Sequence, residues 1–144
     1  MEGRGVDPTL TSSPQDSRSA VAKCILVVED DPDLAQLVAE VLESAGYRTA
    51  IAGNGRAALD HLRTCTHPDL ILLDLMMPVM DGWEFREEQQ KLPALASIPV
   101  LTVTADGDAR GKAAAIQAAG YITKPITIDS LLDAVERVCG LPDA

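Results

Sequence analysis

Apolar residues fall into two alternating patterns along this chain. Short unbroken runs occur at 23–28, at Leu70-Ile-Leu-Leu73 leading into Asp74, and at Val100-Leu-Thr-Val103. Runs of this length bounded by turn residues read as strands covered on both faces. Between them the apolar period lengthens to that of a helix. Leu34, Leu37, Val38, Val41, Leu42 and Ala45 repeat at helical spacing behind an Asp31 cap and Pro32, and Gly46 closes that segment. Asn54 caps a second helix reaching about Cys65, with Ala58, Leu59 and Leu62 inward. A third helix is predicted over Trp83–Lys91 and a fourth over Asp108–Ala119, stopped by Gly120. A last one runs from a Thr127 cap to about Cys139. Weaker strands are predicted at Tyr47–Ile51 and Tyr121–Thr123. The order is strand-helix five times over. That implies an α/β domain with one parallel sheet, helices on both faces, and the most apolar strands, one, three and four, at its centre.

Composition narrows the class. The chain has 144 residues, sufficient for one domain with a full core. The domain is placed at 22–141; residues 1–21, rich in Gly, Ser, Thr, Pro and Asp, read as a disordered extension. A net charge of −10 argues against nucleic acid and against an anionic membrane surface. No run of 18 apolar residues is present, and the N-terminus lacks the apolar core of a signal peptide. Cys24, Cys65 and Cys139 form no CxxC or Cys/His cluster and read as reduced thiols of a cytoplasmic protein.

All strand C-termini of such a sheet share one edge, where ligands of open α/β sheets bind. That edge collects Glu29 and Asp30 after strand one, Asp74 at the end of strand three, Thr104 after strand four and Lys124 after strand five. Three gathered carboxylates repel one another unless a cation sits among them, and hard oxygen donors without His or Cys suit Mg²⁺. A hydroxyl and an ammonium opposite could hold phosphoryl oxygens. Together these parts describe phosphoryl transfer to a carboxylate.

Four segments carry a family resemblance: Ile25-Leu-Val-Val-Glu29-Asp30-Asp31, Leu72-Leu-Asp74-Leu-Met-Met-Pro78 with Met80-Asp81-Gly82, Val103-Thr104-Ala105, and Tyr121-Ile-Thr-Lys124-Pro125. In this order they resemble the receiver domain of two-component response regulators. The resemblance implies a flavodoxin-like three-layer sandwich of strand order 2-1-3-4-5. It implies that Asp74 is the phosphoacceptor and that Glu29, Asp30, Asp74 and the Met76 backbone carbonyl serve Mg²⁺. Lys124 and Thr104 would bind the phosphoryl group, Tyr121 would be the switch aromatic, and Lys124-Pro125 would be cis. Asp106 and Met76 resemble positions that tune phosphate lifetime. The implied partners are a sensor histidine kinase or histidine phosphotransfer protein and a downstream protein target. The chain would be a monomer or a phosphorylation-dependent homodimer. One departure stands out: Thr104 to Lys124 spans 20 positions, about two fewer than the family's spacing, with the shortage near Ala118-Ala119-Gly120.

The expectation is therefore a non-enzymatic receiver with no attached effector, since the sequence stops shortly after the last helix. Two rivals are weighed. A phosphatase of the haloacid dehalogenase type needs a second acid two residues after its nucleophile, and Met76 stands there. A pseudo-receiver, a binding module that takes no phosphate, usually lacks an acid, the Thr or the Lys, all of which are present. His61 and His67 read as solvated, and Trp83 as packing.

Overall fold

The structure, a computed structural model, describes residues 22–64, 67–105 and 107–143. The expected extension at 1–21, and Cys65 and Asp106, lie outside the described residues. The strands are β1 (Cys24–Val28), β2 (Arg48–Ala52), β3 (Leu70–Asp74), β4 (Val100–Thr104) and β5 (Gly120–Thr123). The helices are α1 (Pro32–Ser44), α2 (Gly55–Thr64), α3 (Gly82–Gln90), α4 (Pro93–Ala96), α5 (Ala109–Ala115) and α6 (Ile128–Cys139). All pairings are parallel, in the order β2-β1-β3-β4-β5. The most apolar strands are central, as their uninterrupted hydrophobicity requires.

Each face of the sheet has its own core. Leu26, Val28, Ile71, Leu73 and Val100 meet α2 and α3 through Leu59, Leu62 and Phe85. Ile25, Val27, Leu70, Leu72, Leu101 and Val103 meet α1 and α6 through Val38, Leu42, Leu131 and Val135. Every residue of β3 and β4 is buried, including the terminal Asp74 and Thr104. Burial of that continuity leaves the strand ends as the place where polar groups of the central sheet emerge.

The helix starts follow their caps. Asp31 Oδ1 accepts from the Asp33 and Leu34 amides, at 3.0 and 3.3 Å, with Pro32 opening α1. Asn54 Oδ1 accepts from Ala57, and Asp81 and Thr127 each form a reciprocal capping box. Gly46, at φ 109°, ends α1 in a conformation suited to glycine.

The predicted elements differ from the observed ones chiefly after β3. The loop expected around Pro93 contains the one-turn helix α4, opened by Pro93 itself. The fourth predicted helix, Asp108–Ala119, is shorter than expected: it ends at Ala115, and β5 begins at Gly120. Gln117 there adopts φ +56°, and its backbone and that of Ala118 fold back on Ala114 and Ala113. The short spacing from Thr104 to Lys124 thus holds a seven-residue helix and only four residues between it and β5.

Candidate functional site

Asp74 ends β3 and is 3% exposed; Glu29 follows β1 and is 6% exposed. Asp30, next in the chain, is exposed. Carboxylate oxygens of Glu29, Asp30 and Asp74 lie within 4.8 Å of one another. Lys124 reaches them from beyond β5, its Nζ 3.4 Å from Asp74 Oδ2 and 3.5 Å from Glu29 Oε1. The other oxygens are held by backbone: the Met76 amide donates to Asp74 Oδ1 at 3.0 Å, and the Asp31 amide to Glu29 Oε2 at 3.1 Å. Thr104 is buried at the neighbouring strand end, and its carbonyl accepts from the Lys124 amide at 2.9 Å. One backbone hydrogen bond therefore ties the hydroxyl-bearing and ammonium-bearing residues together. The Lys124-Pro125 bond is cis.

Two buried acids and one amine leave an excess of negative charge. Burial pushes the Glu29 carboxyl up to about 7, and the Asp74 charge adds to that, against relief from the Asp31 amide and Lys124. Burial alone would lower the Lys124 pKa; the Asp74 and Glu29 carboxylates outweigh it and raise it. Because Glu29's folded pKa exceeds its unfolded value, its stabilising contribution is complete below about pH 4.5 and is lost as pH rises through about 7. In metal-free buffer the melting temperature of the parent should fall across that window relative to Glu29→Gln, whose site cannot titrate. Parallel curves for the two proteins would contradict the assignment.

The loop after Asp74 is pinned at both ends. The Gly82 amide donates to the Leu75 carbonyl at 3.1 Å, and the Gly55 amide to the Met80 carbonyl at 2.9 Å. A Cβ on Gly82 would stand 2.7 Å from the Asp74 carbonyl oxygen, so only glycine lets α3 start this close to the acid. Within the loop, Met80 donates to the Pro78 carbonyl across Val79, which has φ +69°. A β-branched residue in such a turn is strained, and Val79 is 80% exposed and recovers little by packing. Val79→Gly should stabilise the fold by about 1 kcal/mol, the left-handed penalty less glycine's entropy. Denaturant unfolding measures this; a lower midpoint for Val79→Gly would show that the turn is unstrained.

The remaining candidates are more dispersed. Tyr121 is 43% exposed and points out from β5 beside a groove of about 580 Å³ lined by Pro99, Leu101, Ala134 and Arg137. Trp83 packs half-buried against the α2–α3 core, His67 is exposed and His61 half-buried. Sequence reasoning missed Arg86 and Gln89, both buried in α3. The available signal was that Gly82–Gln90 has too few apolar residues, Trp83 and Phe85, to make a buried helix face, so polar ones had to enter it.

A parallel sheet of this order, with three clustered acids and a lysine at its C-terminal edge, defines a flavodoxin-like α/β fold with an acidic site at its strand ends. Residues 25–136 match the response regulator receiver domain, and the chain belongs to that family, as a receiver domain of a two-component system. It is 36% identical over 116 residues to the DNA-binding dual master transcriptional regulator RpaA of Synechocystis sp., covering 79% of this chain and 48% of RpaA. The chain thus spans about half of that relative. It is 32% identical over 123 residues to the polar-differentiation response regulator DivK of Brucella ovis, covering 83% of this chain and 98% of DivK. Among solved structures, the receiver domain of the sensor histidine kinase PA1611 from Pseudomonas aeruginosa, with magnesium coordinated in its active site cleft, superposes with a TM-score of 0.75. That structure is 26% identical and covers 83% of this chain and 98% of its own. No helix among the described residues is long and apolar enough to cross a membrane.

Proposed function

We propose that this receiver takes a phosphoryl group on Asp74 from a phosphohistidine of a sensor kinase or phosphotransfer protein, and that the modified site changes a protein-binding face. The observation that carries the reading is the buried Asp74 carboxylate clustered with two further acids and paired, with Glu29, to Lys124 Nζ. The donor set fits Mg²⁺: all hard oxygens, three clustered carboxylates around one lysine, and a Glu29 carboxyl pushed up to about 7 by burial and, after that, by the Asp74 charge. Glu29, Asp30, Asp74 and the Met76 carbonyl would hold the ion, which when bound supplies positive charge opposite Lys124 for the transferring phosphoryl oxygens.

The chain's own residues do the rest. The Met76 amide holds Asp74 Oδ1, leaving Oδ2 on the Lys124 side as the attacking oxygen. That oxygen forms its bond to phosphorus as the donor's nitrogen–phosphorus bond breaks, and the departing imidazole nitrogen keeps the electron pair and takes a proton from solvent. Lys124 then follows the charge from the carboxylate to a phosphoryl oxygen, and the Thr104 hydroxyl donates to another. Both stand on strand ends, so little reorganisation is required. Tyr121, already exposed, would move as Thr104 shifts, a change of population between two packings. Incubation with Mg²⁺ and acetyl phosphate should add about 80 Da, one phosphoryl group on an activated carboxylate. No adduct in Mg²⁺, with EDTA as the matched control, would favour the pseudo-receiver.

An apolar groove continues from this site between α1 and α6. Leu34, Leu37, Val38, Ile126 and Ile128 line about 130 Å³ of it, and Ile126 also borders the small cavity at Glu29 and Asp74. Leu37 and Ile128 are 57% and 60% exposed. A groove between two helices suits an amphipathic helix of the donor protein. Leu37→Asp should slow transfer from a phosphohistidine protein at least tenfold, about 1.4 kcal/mol of lost docking, while leaving acetyl phosphate uptake unchanged. Equal slowing with both donors would place the defect in the acid site instead.

A further inference from the structure

Arg86 is a buried cation with no carboxylate in ion-pair range among the described residues. Its guanidinium is spent on other groups. Nε donates to the Ile116 carbonyl at 2.8 Å, Nη2 to the Gln117 carbonyl at 2.9 Å, and Nη1 to Gln89 Oε1 at 2.9 Å. Gln89 Nε2 in turn donates to the Leu95 and Ile98 carbonyls, at 2.9 and 3.1 Å. The buried side-chain amide and guanidinium are thus satisfied by backbone that leaves one helix and approaches the next strand.

The place where they attach is the departure seen in the sequence. α5 has only seven residues, and a helix of two turns has little stability of its own. It ends in a fold-back: the Ala118 amide donates to the Ala113 carbonyl and the Gln117 amide to Ala114, with Gln117 in the left-handed conformation that glycine usually fills. This arrangement satisfies Ala113 and Ala114 but leaves the Ile116 and Gln117 carbonyls turned toward α3. Those are the two that Arg86 takes. A cation there also complements the negative end of the helix dipole. Two residues later the Ala119 amide joins β4 through the Val100 carbonyl.

We propose that Arg86, held by Gln89, is a latch that fixes the C-terminal end of α5 to α3 across the short connection to β5. Arg86 is a positioning residue: it touches neither the acids nor a ligand. The other end of α3 starts against the Asp74 carbonyl at Gly82. One helix of nine residues, about 13 Å long, therefore contacts both the acid strand and the end of α5. The α5 end then moves with α3 and not as an independent element of the α5–β5–α6 face. The latch does not rest on the function proposed above.

Amide hydrogen exchange on the full chain without phosphate or metal tests it. In Arg86→Met, protection at Ile116, Gln117 and Ala118 should drop at least tenfold more than at Ile71 and Leu73 of the central strand. Arg86→Lys, which keeps the charge but loses the fork, should show the same local loss to a smaller degree. It carries the test if Arg86→Met does not fold. Equal losses at α5 and at β3 would make Arg86 a core residue like any other and overturn the latch, as would unchanged protection. Because no phosphoryl donor is used, failure of Asp74 to accept phosphate would leave this result untouched.

Discussion

Asp74→Asn should gain no phosphoryl mass under any donor and should be more stable than the parent in metal-free buffer. The first half follows from the loss of the nucleophilic oxygen. The second follows from charge. Glu29, Asp30 and Asp74 bring carboxylate oxygens within 4.8 Å of one another, and Lys124 is the side-chain cation paired with Glu29 and Asp74 among the described residues. Asparagine keeps the shape of the side chain, its Oδ1 can still accept from the Met76 amide, and one of the repelling charges is gone. Removing a like charge from a partly screened cluster is worth about 1–2 kcal/mol, well below the unscreened Coulomb figure. Sites that need crowded charge are commonly built at the expense of stability. The two halves are read by intact mass and by urea unfolding. A variant less stable than the parent in EDTA would mean that Asp74 is a structural partner of Lys124, its charge a contributor to the fold.

Lys124→Met carries the second large effect. Lys124 Nζ lies 3.4 Å from Asp74 and 3.5 Å from Glu29 and is the one side-chain cation paired with them among the described residues. Methionine fills the same space without charge. Phosphoryl uptake from acetyl phosphate should fall about 10²-fold, the usual cost of losing one preorganised donor to developing charge. Stability should also fall, by about 2 kcal/mol at pH 8, less than for a fully buried pair because Lys124 is partly exposed. Below pH 5 the loss should shrink, since Glu29, with a pKa pushed up to about 7, then carries its proton and no longer needs the amine. Rates measured at saturating Mg²⁺ separate the two effects. A variant that loses stability equally at both pH values, or that takes up phosphoryl at the parent's rate, would remove Lys124 from the role given to it.

Much of this site could be read from residue order because the fold leaves it little freedom. Five strands separated by helices, three of them apolar runs, point to one parallel sheet, and a parallel sheet brings every strand end to one edge. Placing Glu29, Asp30, Asp74, Thr104 and Lys124 together needed only that step. What escaped depends on contacts between distant segments. Arg86 and Gln89 look like surface residues of a polar helix, and only the carbonyls of Ile116, Gln117, Leu95 and Ile98 explain their burial. The alanine run that predicts helix to Ala119 is overridden at Ala115, because Ala119 must pair with Val100. Val79 gives no sign in sequence of its left-handed turn, which the two anchored ends of the loop impose. The four-residue helix at Pro93 is too short for any period to show.

The central claim is that a phosphoryl group resides on one oxygen of Asp74. An acyl phosphate differs from a phosphoester in being reducible, so borohydride converts a phosphorylated aspartate to homoserine and leaves a free carboxylate unchanged. The protein would be incubated with Mg²⁺ and acetyl phosphate, reduced, digested and sequenced by mass spectrometry. The account predicts homoserine at position 74 and at no other acid, absent when EDTA replaces Mg²⁺. Homoserine at Asp30 or Asp31, or aspartate alone at position 74 in protein that has gained phosphoryl mass, would contradict it.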